Sequence, residues 1–202
     1  MKKSRLLFPF AFGVAAAITL GKRAQHYSAQ RWEQQHLKWV ASRTVKPAPP
    51  RPSRIVFLGD SLTDAWPLYQ AFSQEDVVNA GIGGNKLCDM RARWQLSVLR
   101  TGAGILHLLG GTNDISRGYS LSSMQHEFER LQQLADAAGM VMILGTVPPM
   151  RGLRAWRTPK IRNINEWITS FDARQHLIRA DYFPPLAHPK GELSAEKPAK
   201  PP

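Results

Sequence analysis

Cysteine occurs once in this 202-residue chain, at position 88. No intramolecular disulfide can form, so the fold must rest on its core; export is not thereby excluded. Cys88 falls in a helical stretch and reads as a small buried apolar residue. It also lies far from the apolar run near the N-terminus, so no lipid-attachment cysteine follows that run. Acidic residues are nearly missing from the first 54 positions. Glu33 stands there against eleven Lys/Arg, which gives that arm +10 of the chain's net +12. Beyond it the charges almost balance, so the basic character belongs to the arm. No zinc-ligand spacing, helix-turn-helix signature or RNA-binding signature accompanies it, which argues against a nucleic-acid partner. A basic arm of this kind suits an anionic membrane surface or a targeting role. Internal repeats are absent as well.

The longest apolar run, residues 6–20, has fifteen residues. As a helix it spans roughly 22 Å, short of the roughly 30 Å hydrocarbon core of a bilayer. After Met1-Lys2-Lys3-Ser4-Arg5 it reads as an export signal. Gly21-Lys22-Arg23 follows in place of a small-x-small cleavage site, so residues 1–23 are expected to be either a signal peptide or an uncleaved signal anchor. Both readings put the protein in the exported or inner-membrane-anchored, periplasmic or cell-envelope class. Residues 24–52 read as a basic juxtamembrane helix, with Tyr27, Trp32, Leu37 and Val40 interspersed, and then a stiff Pro-rich linker. Residues 53–193 form the expected globular domain, and residues 194–202 a disordered Lys/Pro tail.

Within that domain the pattern alternates. Strands are expected at 54–58, 76–79, 104–109, 140–144 and 177–181. Helices are expected just after Ser61 and at 86–100, 121–138 and 158–172. Leu121, Met124, Phe128, Leu131 and Leu134 recur at helical spacing, and Gly139 ends that row. Strand–helix alternation predicts a three-layer α/β/α fold with a mostly parallel, about five-stranded, flavodoxin-like sheet, preceded by the N-terminal hydrophobic helix. The first three strands lead into polar, glycine-rich stretches: Gly59-Asp60-Ser61-Leu62, Asn79-Ala80-Gly81-Ile82-Gly83-Gly84-Asn85 and Gly110-Gly111-Thr112-Asn113-Asp114. In an open parallel sheet such loops share one edge, where ligands bind. A serine at the first strand-to-helix turn is exposed beside free helix N–H groups, a good seat for a nucleophile. The alternative is that Ser61 only caps a helix, that Gly83-Gly84 only makes a turn, and that Asn113 only holds a loop.

These three blocks, in this order, resemble those of the SGNH/GDSL hydrolase family over roughly residues 54–193. The resemblance implies a serine-dependent carboxylic ester hydrolase acting on a small-molecule or glycan ester without a cofactor. It assigns Ser61 as nucleophile and the oxyanion hole to the N–H groups of Ser61 and Gly84 with the side-chain amide of Asn113. Asp60 and Asp114 are expected to be structural acceptors; a metal site from Asp60, Asp64 and Asp114 is the minor alternative. Thr146-Val147-Pro148-Pro149 resembles a wall of the site. The family's last block, Asp-x-x-His, is missing. The six histidines are His26, His36, His107, His126, His176 and His188, and none has Asp three residues before it. His188, beyond the fifth strand, is the stand-in base, with Asp181 the nearest upstream carboxylate. His107 is expected to be a satisfied core histidine. The missing block keeps two alternatives open: a non-catalytic binding module of the cell envelope with this fold, or a truncated pseudoenzyme.

Overall fold

The computed structural model describes residues 48–150, 157–171 and 177–187. The N-terminal hydrophobic helix, the juxtamembrane helix, His188 and the Lys/Pro tail lie outside the described residues. Five strands form one parallel sheet in the order β2-β1-β3-β4-β5: β1 Arg51–Gly59, β2 Val77–Gly81, β3 Ala103–Leu109, β4 Val141–Gly145 and β5 Leu177–Ala180. Helices α1 Ser61–Asp64 and α2 Leu68–Ala71 join β1 to β2. Helices α3 Leu87–Ala92 and α4 Trp94–Ser97 and a 3₁₀ turn Leu99–Thr101 lead to β3. Helices α5 Thr112–Ser116 and α6 Leu121–Ala137 precede β4, α7 Thr158–Ser170 precedes β5, and α8 Phe183–Leu186 follows it. This is the expected α/β architecture.

Alternate residues of a strand face opposite sides of a sheet. Val56, Leu58, Leu106, Leu108, Met142 and Leu144 point to one side and are buried against α3, α4, α6 and α7. On α6, Met124, Phe128, Leu131 and Ala135 form the buried stripe, and the Ser120 side chain caps the helix by accepting from the Ser123 N–H. Each fully buried side chain of this size stabilises the fold by roughly 1.5–3 kcal/mol. The other face is aromatic. Phe57 packs on Trp66, Phe72 and His107, with ring centroids 5.6, 5.3 and 4.7 Å away. In register, Phe57, His107, Ile143 and Ile178 make one row across this face, which is buried at Phe57 and His107 and exposed at Ile178.

Three expectations shift. β1 begins at Arg51, inside the stretch read as linker, because the Arg51 N–H donates to the Gly102 carbonyl (2.7 Å). Pro52, which has no N–H, sits in the irregular part of that pairing between Arg51 and Ile55. β2 runs on past its expected end at Asn79 to Gly81, so Ala80 and Gly81 pair with Leu58 and Gly59 and are not part of the loop. The helix expected at 86–100 is three short pieces that break at Arg93 and Val98, since Arg93 turns inward to serve the site.

Candidate active site

β1 ends in Gly59 and the chain turns at once into α1. Asp60 is the N-cap; its carboxylate accepts the Leu62 N–H at 2.9 Å. Ser61 is thereby placed at the first helical position, exposed at the carboxyl edge of the sheet. Asp60 itself is buried, and burial raises its pKa against the lowering effect of the Leu62 N–H. The far end of α1 is held by Asn79 on β2. Its amide donates to the Thr63 carbonyl at 2.9 Å, and its side-chain oxygen accepts the Gly81 N–H at 2.9 Å. Gly81 must be glycine for α1 to lie this close: a Cβ there would stand 2.1 Å from the Asp64 nitrogen.

The second block bends back over the first. The Ile82 N–H donates to the Gly59 carbonyl at 3.1 Å. Gly84 then takes φ +79°, a left-handed conformation that favours glycine. A methyl group built on Gly83 would lie 3.9 Å from the Ser61 Cβ and 3.8 Å from the Asp64 Oδ2. Arg93 locks this loop from beneath, donating to the Asn85 Oδ1 at 2.7 Å and to the Gly59 carbonyl at 3.0 Å. Burial lowers its pKa to about 10, with Asp89 working the other way, so the guanidinium stays charged at neutral pH. Its Nη1 is buried without a hydrogen-bond partner.

The third block closes the set. Asn113, near the start of α5, donates from its amide to the Asp60 Oδ2 at 3.2 Å and to the Asn85 carbonyl at 3.0 Å. One side chain therefore ties the residue before Ser61 to the residue after Gly84. No described residue accepts a hydrogen bond from the backbone N–H of Ser61 or of Gly84. Those two donors are available to a ligand, whereas both amide hydrogens of Asn113 are already in use. Asp114 turns the other way and accepts the Leu87 N–H at the start of α3, at 3.3 and 3.2 Å to its two oxygens. Burial, only partly offset by that N–H, raises its pKa to about 7.

Asp60 and Asp114 thus act as acceptors for loop and helix N–H groups. Among the described residues no three His, Cys, Asp or Glu side chains gather as metal ligands. Thr146 and Val147, which follow β4, are buried and pinned by their neighbours. Val147 exchanges hydrogen bonds with Asn165 of α7 at 2.7 and 2.9 Å, and the Thr146 hydroxyl donates to the Asp181 Oδ1 at 2.8 Å. That oxygen of Asp181 also accepts the Phe183 N–H at 3.2 Å. His107 is buried on β3 with its Nε2 2.8 Å from the Tyr182 hydroxyl. Its Nδ1 has no partner, so it is only half satisfied, contrary to expectation. Burial lowers its pKa to about 4. Cys88 also departs from the apolar role expected of it: it is buried, but its Sγ lies 3.2 Å from the Lys86 Nζ. Burial works against the charge on Lys86, yet Asp89, Cys88 and Tyr119 outweigh it and hold its pKa above the usual lysine value.

Sequence reasoning placed Ser61, Gly84 and Asn113, and the structure brings their three loops together. It missed Asn79, Asn85 and Arg93 as the residues that hold those loops. The signal for Arg93 was faint: a charged residue at a position where a continuous helix would have turned it into the core.

The model of the family described as GDSL-like lipase/acylhydrolase matches residues 57–198. An acetylxylan esterase of Geobacillus stearothermophilus is 30% identical over 125 residues, which cover 50% of this chain and 57% of that protein. The chain thus spans little more than half the length of that relative. Among solved structures, a GDSL-like lipase of Bacteroides thetaiotaomicron superposes with a TM-score of 0.65 at 20% identity, over 79% of this chain and 82% of that one. A lipase/acylhydrolase of Enterococcus faecalis does so with a TM-score of 0.54 at 19% identity, over 70% and 87%. At those identities the structures speak for the fold, and the family match carries the assignment. With its three loops hydrogen-bonded around Ser61 at the carboxyl edge of a five-stranded parallel sheet, the chain belongs to the GDSL-like lipase/acylhydrolase family.

Proposed function

We propose that this chain is a serine-dependent carboxylic ester hydrolase. The observation that carries the reading is the Asp60–Asn113–Asn85 link, which gathers three loops at Ser61 and leaves the N–H groups of Ser61 and Gly84 without an acceptor among the described residues. In the first half-reaction the Ser61 Oγ attacks the ester carbonyl and its proton passes to a base. The carbonyl oxygen becomes an oxyanion held by the N–H groups of Ser61 and Gly84 and, once it lets go of Asn85 or Asp60, by the Asn113 amide. Collapse breaks the carbon–oxygen bond, and the alcohol leaves with the base's proton. Water then repeats the cycle on the acyl-enzyme. His188 is the base in this proposal. Asp181 holds Thr146 and Phe183, so its contribution to His188 would fall to its second oxygen.

Small or carbohydrate esters are the proposed substrates, supported by the acetylxylan esterase likeness. Residues 1–23 are proposed to export the protein or to anchor it at the inner membrane. The test is hydrolysis of a short-chain aryl ester by the full chain. Ser61→Ala should lower kcat by at least about 10³-fold, and His188→Ala by about 10²-fold or more. A rate that survives unchanged in Ser61→Ala would defeat the reading. A Ser61-dependent rate untouched by His188→Ala would remove His188 as base. A second reading rests on the engaged Asn113 amide: a binding module that holds an acylated ligand without turnover. Saturable binding with no Ser61-dependent hydrolysis would favour it.

A further inference from the structure

The loop that carries Gly84 opens toward an arginine. Among the described residues, chain neighbours aside, a methyl group built on Gly84 would meet only the Arg117 guanidinium within 4 Å, at 3.7 Å. Arg117 therefore borders the side of Gly84 on which a side chain would stand. Arg117 is the C-cap of α5, four residues after Asn113, so both side chains belong to one helix face. It is exposed, and its guanidinium has no hydrogen bond or ion pair to another described residue. The neighbouring cations are engaged. Arg157 donates to the Ser116 carbonyl at 2.9 Å, Lys160 donates to the Tyr119 carbonyl, and Lys86 pairs with Asp89. Arg157 and Lys160 fix the turn on which Arg117 stands. On the other flank of the glycine pair the carboxylate is that of Asp64, 3.8 Å from the methyl position at Gly83. The two glycines thus separate a positive side from a negative side.

Building on the ester-hydrolase reading, we infer that Arg117 determines specificity by selecting esters that carry a carboxylate close to the reacting carbonyl. A guanidinium with all its donors free matches a carboxylate in paired hydrogen bonds. Asp64 repels the same group from the Ser61 side, so the substrate is oriented as well as held. The carboxylate can belong to the acyl part or to the alcohol part of the ester, and both place the same anion before Arg117.

The test reads binding apart from turnover. Full-chain Ser61→Ala is titrated by calorimetry with two matched pairs of probes. Phenyl hydrogen succinate against phenyl butyrate puts the charge on the acyl side. Para-acetoxybenzoate against para-acetoxybenzamide puts it on the alcohol side. At least one charged probe should bind about tenfold tighter than its neutral partner, in line with a hydrogen-bonded charge pair. Arg117→Gln should abolish that preference, Arg117→Lys should keep much of it, and about 0.5 M salt should weaken it. Equal binding within both pairs, or a preference that survives Arg117→Gln, overturns the inference. Turnover of phenyl butyrate by the chain with Ser61 intact is measured alongside. If it is missing, the ester-hydrolase reading fails, while anion selection still stands or falls on the binding data.

Discussion

Asn113 commits both amide hydrogens inside the protein, one to Asp60 and one to Asn85, so the proposed oxyanion role requires it to release one of them. Asn113→Ala should therefore lower kcat by about 10²-fold or more while KM changes little, as expected of a donor that acts on the oxyanion. Steady-state kinetics on a neutral aryl ester checks this. A large rise in KM with kcat intact would mean that Asn113 holds the loop and nothing else. The sequence showed where Ser61, Gly84 and Asn113 fall, because each follows a strand and a glycine. It could not show which side chains meet across the loops. Asn79 illustrates the limit: it is expected as a strand residue and pairs in β2, yet nothing in the spacing shows that its side chain reaches across to the Thr63 carbonyl. That contact depends on the register of β2 against β1, which local spacing does not set.

Arg93 shows why one helix became three pieces. Its guanidinium bonds the Gly59 carbonyl and the Asn85 side chain, and the chain breaks at that residue to let it do so. Periodicity across 86–100 reports apolar spacing and is blind to a buried cation with partners on another element. Arg93→Ala should cost about 2 kcal/mol, the scale of hydrogen bonds from a charged donor. Urea unfolding should show a lower midpoint with an unchanged slope. Helix α6 is the contrasting case, because its apolar row was readable and lies where expected. Phe128→Ala there should cost about 3–5 kcal/mol through lost burial and the cavity left behind. An exposed residue at that place would lose far less.

For the molecule as a whole, two buried groups set opposing pH dependences. Folded Asp114 keeps its proton up to about pH 7, while the unfolded carboxyl loses it near 3.8, so this group makes stability fall as pH rises through that window. Folded His107 stays neutral down to about pH 4, while the unfolded imidazole protonates near 6.5, so this group makes stability fall as pH drops through that window. The two largely cancel between about pH 4 and 6.5. Asp114→Asn should leave a stability that declines toward acid, and His107→Asn one that declines toward neutral pH. Each slope should be at most about 1.4 kcal/mol per pH unit, read from urea unfolding across the range. Parallel, shallow profiles in both variants would show that neither group titrates as its burial requires. The five-stranded order was legible because strand–helix alternation leaves few topologies for a parallel sheet. The exposed end of the row at Ile178 was not, since a strand's apolar pattern does not say what lies over it. That the chain acts through Ser61 is tested most directly by treating the full-length protein with a fluorophosphonate and mapping the adduct by peptide mass spectrometry. Modification of Ser61, and none in Ser61→Ala, is the expected result; an adduct on another residue, or equal labelling of the alanine variant, would contradict it.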